Sequence, residues 1–388
     1  MESTMKDYFP SKLAKGDQFC NRTKERTALH ENINKGRHTV LIAPRRYGKS
    51  SLVFKVAHES KLPLASVDLF LAHDDAAVTK RILVGIGQAV SSIMPLNQKI
   101  LAKLQTIFNN FRVSLNAGGF SVEASISTTG FDPVDQVFSA LKSLNELAKQ
   151  QKETTKTVIF FIDEFQDIRE AGNAKAIQGA IRHVAQETSN IVFIFSGSNR
   201  RLLTELFDNK SKPLYMLCDM LHLERMTTKD YWPHIQKLAK KQWGKELSMM
   251  VFEKIMLLTE LHPYYVNLLC HELWKLNHIP EIEDVFSCWQ ECYSIHEERL
   301  ISDIEKLSTK QQDILKALAI YPSIEPTGQN FVSASKTPAS TINQTIRVLM
   351  HKDMVYKVKH TDEALPQLQQ NQLRVLDPLL GYALKKYS

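Results

Sequence analysis

The chain has 388 residues, 43% of them hydrophobic and 23% charged, with 14 Gly, 14 Pro and five Cys. That length suits two or three domains, and the balance excludes collagen-like, low-complexity and disulfide-scaffold classes. The formal charge of +7 is concentrated in residues 1–61, which hold 13 Lys and Arg against 6 Asp and Glu; a phosphate site is enough to explain it, and the milder surplus after residue 300 permits nucleic acid without demanding it.

The longest wholly apolar runs, Val158–Ile162 and Ile191–Phe195, fall far short of the roughly 20 residues that span a bilayer. The opening MESTMKDYFPSK lacks the apolar core of a signal peptide. With an odd number of Cys at unpaired spacings, the expectation is a cytoplasmic protein with no membrane partner.

Four β-branched or aromatic runs read as buried strands: His38–Ala43, Leu64–Leu71, Val158–Asp163 and Ile191–Ser196, with Met220–Glu224 a weaker fifth. Helical patterns lie between them at Ser50–Glu59, Val78–Ser92, Val134–Gln151 and Lys175–Glu187. This alternation predicts a mostly parallel sheet covered on both faces. Asn109–Thr129 alternates every second residue around Gly118-Gly119 and predicts an inserted hairpin.

Residues 43–50 read A-P-R-R-Y-G-K-S, the P-loop pattern with Ala43 at the first glycine position. They follow a strand and open a helix, the order in which successive backbone N–H groups and a helix N-terminus can cradle phosphate. Pro44, Arg45, Arg46, Tyr47, Gly48, Lys49, Ser50 and Ser51 are therefore nucleotide-binding candidates. Gly48 lets the backbone approach phosphate, Lys49 would reach the β- and γ-oxygens, and Ser50 would place its hydroxyl on Mg²⁺. A strand burying V-I-F-F-I then ends in two carboxylates. Asp163 would hold the Mg²⁺ beside Ser50, and Glu164 would be the general base for an attacking water. The next strand ends in Ser196, Ser198 and Asn199, candidates for the γ-phosphate or the water. Arg200 and Arg201 follow, either of which could offset γ-phosphate charge.

After about Thr227 the pattern is wholly helical: Lys229–Lys241, Ser248–Leu258, Pro263–Leu276 and Glu283–Asp303. Cys288, Cys292 and His296 fall on one helix face at zinc-like spacing, but a fourth ligand is missing and the face reads as packing. From Leu307 the order is helix (Thr309–Ile320), helix (Gly328–Ser335), helix (Pro338–Lys352) and two strands (Val355–Lys359, Leu373–Leu376). This is a winged helix-turn-helix layout, with a Gln-rich and mobile wing tip expected at His360–Gln372. The third helix carries Ser340, Thr341, Asn343, Gln344 and Arg347, groups able to contact bases or phosphates, yet few basic residues.

Together these motifs resemble the archaeal-type ATPases within the STAND branch of AAA+-related P-loop NTPases, over about residues 17–388. Phe19-Cys20-Asn21-Arg22 with Glu25 resembles that family's F-x-G-R-E entry motif, with Asn21 at the glycine. A-P-R-R-Y-G-K-S-S-L is similar to G-P-R-R-x-G-K-T-S-L, V-I-F-F-I-D-E-F-Q-D to its D-E-F-Q motif, and F-S-G-S-N to its sensor strand. His262-Pro263-Tyr264-Tyr265 with Leu268-Leu269 resembles G-H-P-Y-Y-x-x-x-L-L. The resemblance implies that Phe19 and Arg22 lie near adenine and Pro263 near the nucleotide. The family's P-L-Y-G-R becomes Pro213-Leu214-Tyr215-Met216-Leu217, without the arginine, which implies slow turnover or reliance on Arg200 or Arg201.

The expected fold is α/β: a P-loop NTPase parallel-sheet core (17–227) after an N-terminal tail (1–16), then a helical lid (228–304) and a C-terminal winged helix-turn-helix domain (305–388). The expected function is an ATP- and Mg²⁺-dependent regulatory switch, its nucleotide held between core and lid and its output a protein partner or self-association. DNA binding through the winged helix, or nucleotide binding without turnover, stand as alternatives.

Overall fold

The computed structural model describes residues 7–94, 102, 105, 111–116, 119–124, 132–151 and 157–386. Two compact units divide it: Arg22–Leu223, and Met1–Asn21 with Glu224–Ser388. Part of the expected inserted hairpin (109–110, 117–118 and 125–129) and residues 1–6 of the expected tail lie outside the described residues.

The Arg22–Leu223 unit contains strands β1 (Thr39–Ile42), β2 (Leu64–Asp68), β3 (Phe111–Asn116), β4 (Gly119–Ala124), β5 (Val158–Asp163), β6 (Ile191–Gly197) and β7 (Asp219–His222). Its helices are α1 (Thr23–Asn34), α2 (Lys49–Ser60), α3 (Asp75–Ile93), α4 (Pro133–Lys149), α5 (Ala174–Glu187) and α6 (Arg200–Asp208). Five strands form one sheet in the order β2-β5-β6-β1-β7, every pair parallel. β3 and β4 pair with each other in antiparallel fashion, Phe111 opposite Ala124 and Asn116 opposite Gly119.

The central strands are continuous apolar runs because both faces of a parallel sheet are covered. Val158–Ile162 are each at most 1% exposed, and burying a large apolar side chain contributes about 1.5–3 kcal/mol. The position of the strand tip is thus fixed by far more than one hydrogen bond's net contribution of about 1 kcal/mol. Register brings four strand ends together: Ile42 pairs with Gly197, Ile162 with Phe195, and Asp163 with Asp68. The carboxyl ends of parallel strands on either side of a reversal in strand order form a crevice suited to ligands.

In the second unit, α7 (Thr228–Trp243), α8 (Met249–Thr259), α9 (Pro263–Leu273) and α10 (Ile282–Glu305) precede α11 (Thr309–Ile320), α12 (Gln329–Ser335) and α13 (Ala339–His351). Strands β8 (Val355–Lys357) and β9 (Leu373–Val375) pair in antiparallel fashion before a last helix, α14 (Pro378–Lys386). Thr227 caps α7 in a reciprocal box with Asp230, and Ser248 caps α8. One hydrophobic core runs from Tyr8 and Phe9 through Trp289 and Tyr293 to Leu384. Cys288 and Cys292 belong to it, burial pushing their thiols up to about 11 and about 12, and no His, Cys, Asp and Glu group able to hold a metal occurs among the described residues.

The segment expected as a mobile wing tip is anchored instead. Leu365 and Leu368 are buried in the core. The Asp362 carboxylate accepts from Thr228 N (2.8 Å) and from Thr228 Oγ1 (2.8 Å), capping the start of α7.

Candidate nucleotide-binding site

The loop between β1 and α2 turns on Gly48, whose φ of +83° lies in the left-handed region. A Cβ there would meet no atom within 4 Å, so glycine is favoured by the backbone angle rather than by space. Ala43, 1% exposed, takes the first glycine position without a positive φ. Pro44 and Tyr47 are buried, Arg45 and Arg46 are exposed, and Ser51 is half-buried. Lys49 begins α2 with its ammonium folded back on the loop, donating to Ala43 O (3.3 Å) and Pro44 O (3.1 Å). Arg22, 5% exposed, braces the loop from below: Nη2 donates to Tyr47 O (3.0 Å) and Nη1 pairs with Glu25 (2.9 Å).

Two chain segments 113 residues apart meet where Ser50 Oγ donates to Asp163 Oδ2 at 2.6 Å. Asp163 Oδ1 accepts from Ser196 Oγ and from Glu164 N, the latter at 3.0 Å. A hydroxyl and a carboxylate placed together beside a phosphate loop are the oxygen donors that suit Mg²⁺. These residues fit that ion, with Ser50 and Asp163 as the groups to hold it.

Glu164 adopts φ +48° and ψ 41° before a short 3₁₀ turn, Phe165–Glu170. That left-handed residue sends Phe165 into the core, against Phe195 at a centroid distance of 4.6 Å, and turns the carboxylate toward β6. Oε2 accepts from Gln166 Nε2 (2.6 Å), Ser198 N (3.0 Å) and Ser198 Oγ (2.8 Å). Burial pushes this carboxyl up, but the bonds from Gln166 and Ser198 and the charge of Lys49 outweigh it, and the group lies below its ordinary value. It is therefore ionised at neutral pH and can accept a proton. Gln166 Oε1 is buried with no hydrogen-bond partner. A Cβ on Gly197 would stand 1.9 Å from it, so a side chain there would push the Gln166 amide from its place.

The remaining candidates divide. Asn199 Oδ1 caps α6 by accepting from Leu202 N (3.1 Å), with Arg200 and Arg201 in that helix's first turn, half-buried and exposed. Phe19, half-buried after a 3₁₀ turn, and Pro263, the first residue of α9, belong to the other unit. Sequence reasoning missed two residues. Gln166 holds Glu164, and its only signal was its place in D-E-F-Q. Arg182, on α5, donates to Pro213 O (2.6 Å) and Tyr215 O (2.9 Å), tying down the turn at residues 213–217.

No protein-family model matches the chain, and no curated protein matches it. Solved structures do. The Walker-type ATPase of Pyrococcus abyssi superposes with a TM-score of 0.64 at 18% identity, covering 97% of this chain and 99% of that one. The ORC2 protein of Aeropyrum pernix, in its ADPNP–ADP complexes, gives 0.56 at 15% identity, covering 99% and 96%. The shared property at these identities is the fold: an α/β P-loop NTPase core with a mostly parallel five-stranded sheet and helices.

Proposed function

We propose that the chain is an ATPase of the STAND-like archaeal type that binds ATP with Mg²⁺ at residues 43–51. It hydrolyses ATP slowly to ADP and phosphate, and acts as a nucleotide-dependent switch read out by a protein partner. The observation that carries this reading is the meeting of Ser50 with Asp163 at 2.6 Å, directly behind the Gly48-Lys49 turn. The solved ORC2 protein of similar fold, with its ADPNP and ADP, supports adenine nucleotide as the ligand.

In this reading Lys49 exchanges its two carbonyl partners for phosphate oxygens, and the loop's N–H groups surround the polyphosphate. Mg²⁺, when bound by Ser50 and Asp163, would draw charge from the phosphate oxygens. Glu164 takes the proton of the attacking water on its carboxylate, and Ser198 and Gln166 hold that carboxylate in place. Leu217 stands where the family pattern has arginine, which supports slow turnover.

Calorimetric titration with Mg·ATP tests the reading. Wild type and Glu164→Gln bind alike, Lys49→Ala loses at least about tenfold in affinity, and Glu164→Gln falls at least about 100-fold in turnover. Unchanged affinity in Lys49→Ala contradicts the phosphate loop; normal hydrolysis by Glu164→Gln contradicts the assignment of the base.

A second reading, DNA engagement, is favoured by one observation: Ser340, Asn343, Gln344 and Arg347 are all exposed on α13.

A further inference from the structure

The Gln166 side chain is 6% exposed, and its amide is held through the nitrogen alone. Nε2 donates to Glu164 Oε2 (2.6 Å) and to Asp167 Oδ1 (3.1 Å), while Oε1 lies against Gly197 without a partner. Both N–H bonds of the amide are thus spent on carboxylates. An ionised carboxylate only accepts, so it admits the nitrogen end of an amide and repels the oxygen end. Two such groups together fix which way the amide faces. With Glu164 as the sole partner, one bond would remain and the amide could swing about it.

Asp167 is half-buried in the 3₁₀ turn Phe165–Glu170. Its charge and that of Glu164 disfavour each other, and the Gln166 amide bridges the two. The backbone N–H of Leu71 also bonds the Asp167 carboxyl and favours its ionised form. Leu71 lies in the connection from β2 to α3. There Leu69 N donates to Asp163 O (3.0 Å), and Ala72 N closes a turn onto Leu69 O (2.9 Å). The two central residues of that turn, Phe70 and Leu71, are 46% and 57% exposed. Leu71 takes φ 61°, an angle that turns usually give to Gly or Asn. Strain of this kind concentrates at functional positions. An exposed, strained, apolar turn is therefore joined through Asp167 and Gln166 to Glu164.

We propose that Asp167 is a positioning residue for ATP hydrolysis: it fixes the Gln166 amide that holds the Glu164 carboxylate, and so makes turnover depend on the turn at residues 69–72. The inference rests on Glu164 being the base, as proposed above. Asp167 acts only through Gln166, and what it supplies is an acceptor oxygen.

The test is steady-state phosphate release by the full chain at saturating Mg·ATP, with calorimetry for affinity. Asp167→Ala should lower kcat about tenfold with Mg·ATP affinity unchanged. Asp167→Ser, polar but too short to reach the amide, should lose as much, and covers the case in which the alanine variant does not fold. Asp167→Asn keeps an acceptor oxygen and should recover most of the loss. Gln166→Ala with Asp167→Ala should be no slower than Gln166→Ala alone, because the two act as one unit. Leu71→Pro deletes the N–H and cannot take a positive φ; it should lower kcat in wild type but not in Asp167→Ala. Wild-type kcat in Asp167→Ala or Asp167→Ser, losses that multiply in the double variant, or an unaffected kcat in Leu71→Pro overturns the proposal. If Glu164→Gln is inactive in the same assay, the base assignment stands and this inference alone fails; normal hydrolysis by Glu164→Gln removes the base itself.

Discussion

Glu164 receives three hydrogen bonds on a single oxygen, two from Ser198 and one from Gln166. Ser198 is fixed by a strand whose seven residues are all buried, so Gln166 is the adjustable member of this clamp. Its amide also donates to Asp167 Oδ1 (3.1 Å), while its buried carbonyl has no partner. If Glu164 is the base proposed above, Gln166 is a positioning residue that acts through it. Gln166→Ala should lower kcat by about 10–100-fold, the scale of losing a group that orients a functional side chain, with Mg·ATP affinity unchanged. A loss of affinity at constant kcat would instead assign Gln166 to nucleotide binding. This role was not legible in the sequence. D-E-F-Q places the residue two positions after Glu164, where an extended strand would point both the same way but an ordinary turn would not. Only the left-handed angle at Glu164 folds Gln166 back onto it.

At the scale of elements, three non-glycine residues share one left-handed conformation. Asn21, Met216 and Leu261, each at a position where the resembled sequence patterns carry Gly, have φ angles of 38°, 55° and 61°. Such a conformation costs a non-glycine residue about 1–2 kcal/mol, less for Asn. Met216 is 76% exposed, so its side chain has little burial to lose. Met216→Gly should therefore raise stability by about 0.5–1 kcal/mol in denaturant unfolding, strain relief exceeding glycine's extra unfolded-state freedom. A destabilisation would show that the side chain holds the turn. The long apolar strands and the Gly48 turn between β1 and α2 were legible because their patterns are local: a β-branched run, then G-K-S. Helix α1 was not, since only Leu29 and Ile33 among its apolar residues are buried and no amphipathic period emerges. Helix α14 was hidden behind Pro378, and α6 by its length of nine residues.

At the scale of the whole molecule, the anchored wing loop depends on a partner that local pattern cannot reveal. Asp362 caps α7 from 134 residues away, so a Gln-rich stretch that reads as mobile is held. The same applies to the N-terminal segment, where Phe9 stacks edge-on against Trp274 at 4.7 Å. The exposed face of α13 decides between the two outputs. It offers Arg347, with Lys352 just beyond the helix, and phosphate contacts supply most DNA affinity. Duplex binding should accordingly be weak and only shallowly dependent on salt. Tight binding that falls steeply with salt, and is lost in Arg347→Ala with Lys352→Ala, would reverse that reading.

The account rests on residues 43–51 clasping a polyphosphate, and a structure determined with saturating Mg·ATP tests that claim most directly. It predicts β-phosphate density surrounded by the backbone N–H groups around Gly48, with Lys49 Nζ moved from Ala43 O and Pro44 O onto phosphate oxygen. Nucleotide bound elsewhere, with Lys49 still on its two carbonyls, would contradict it.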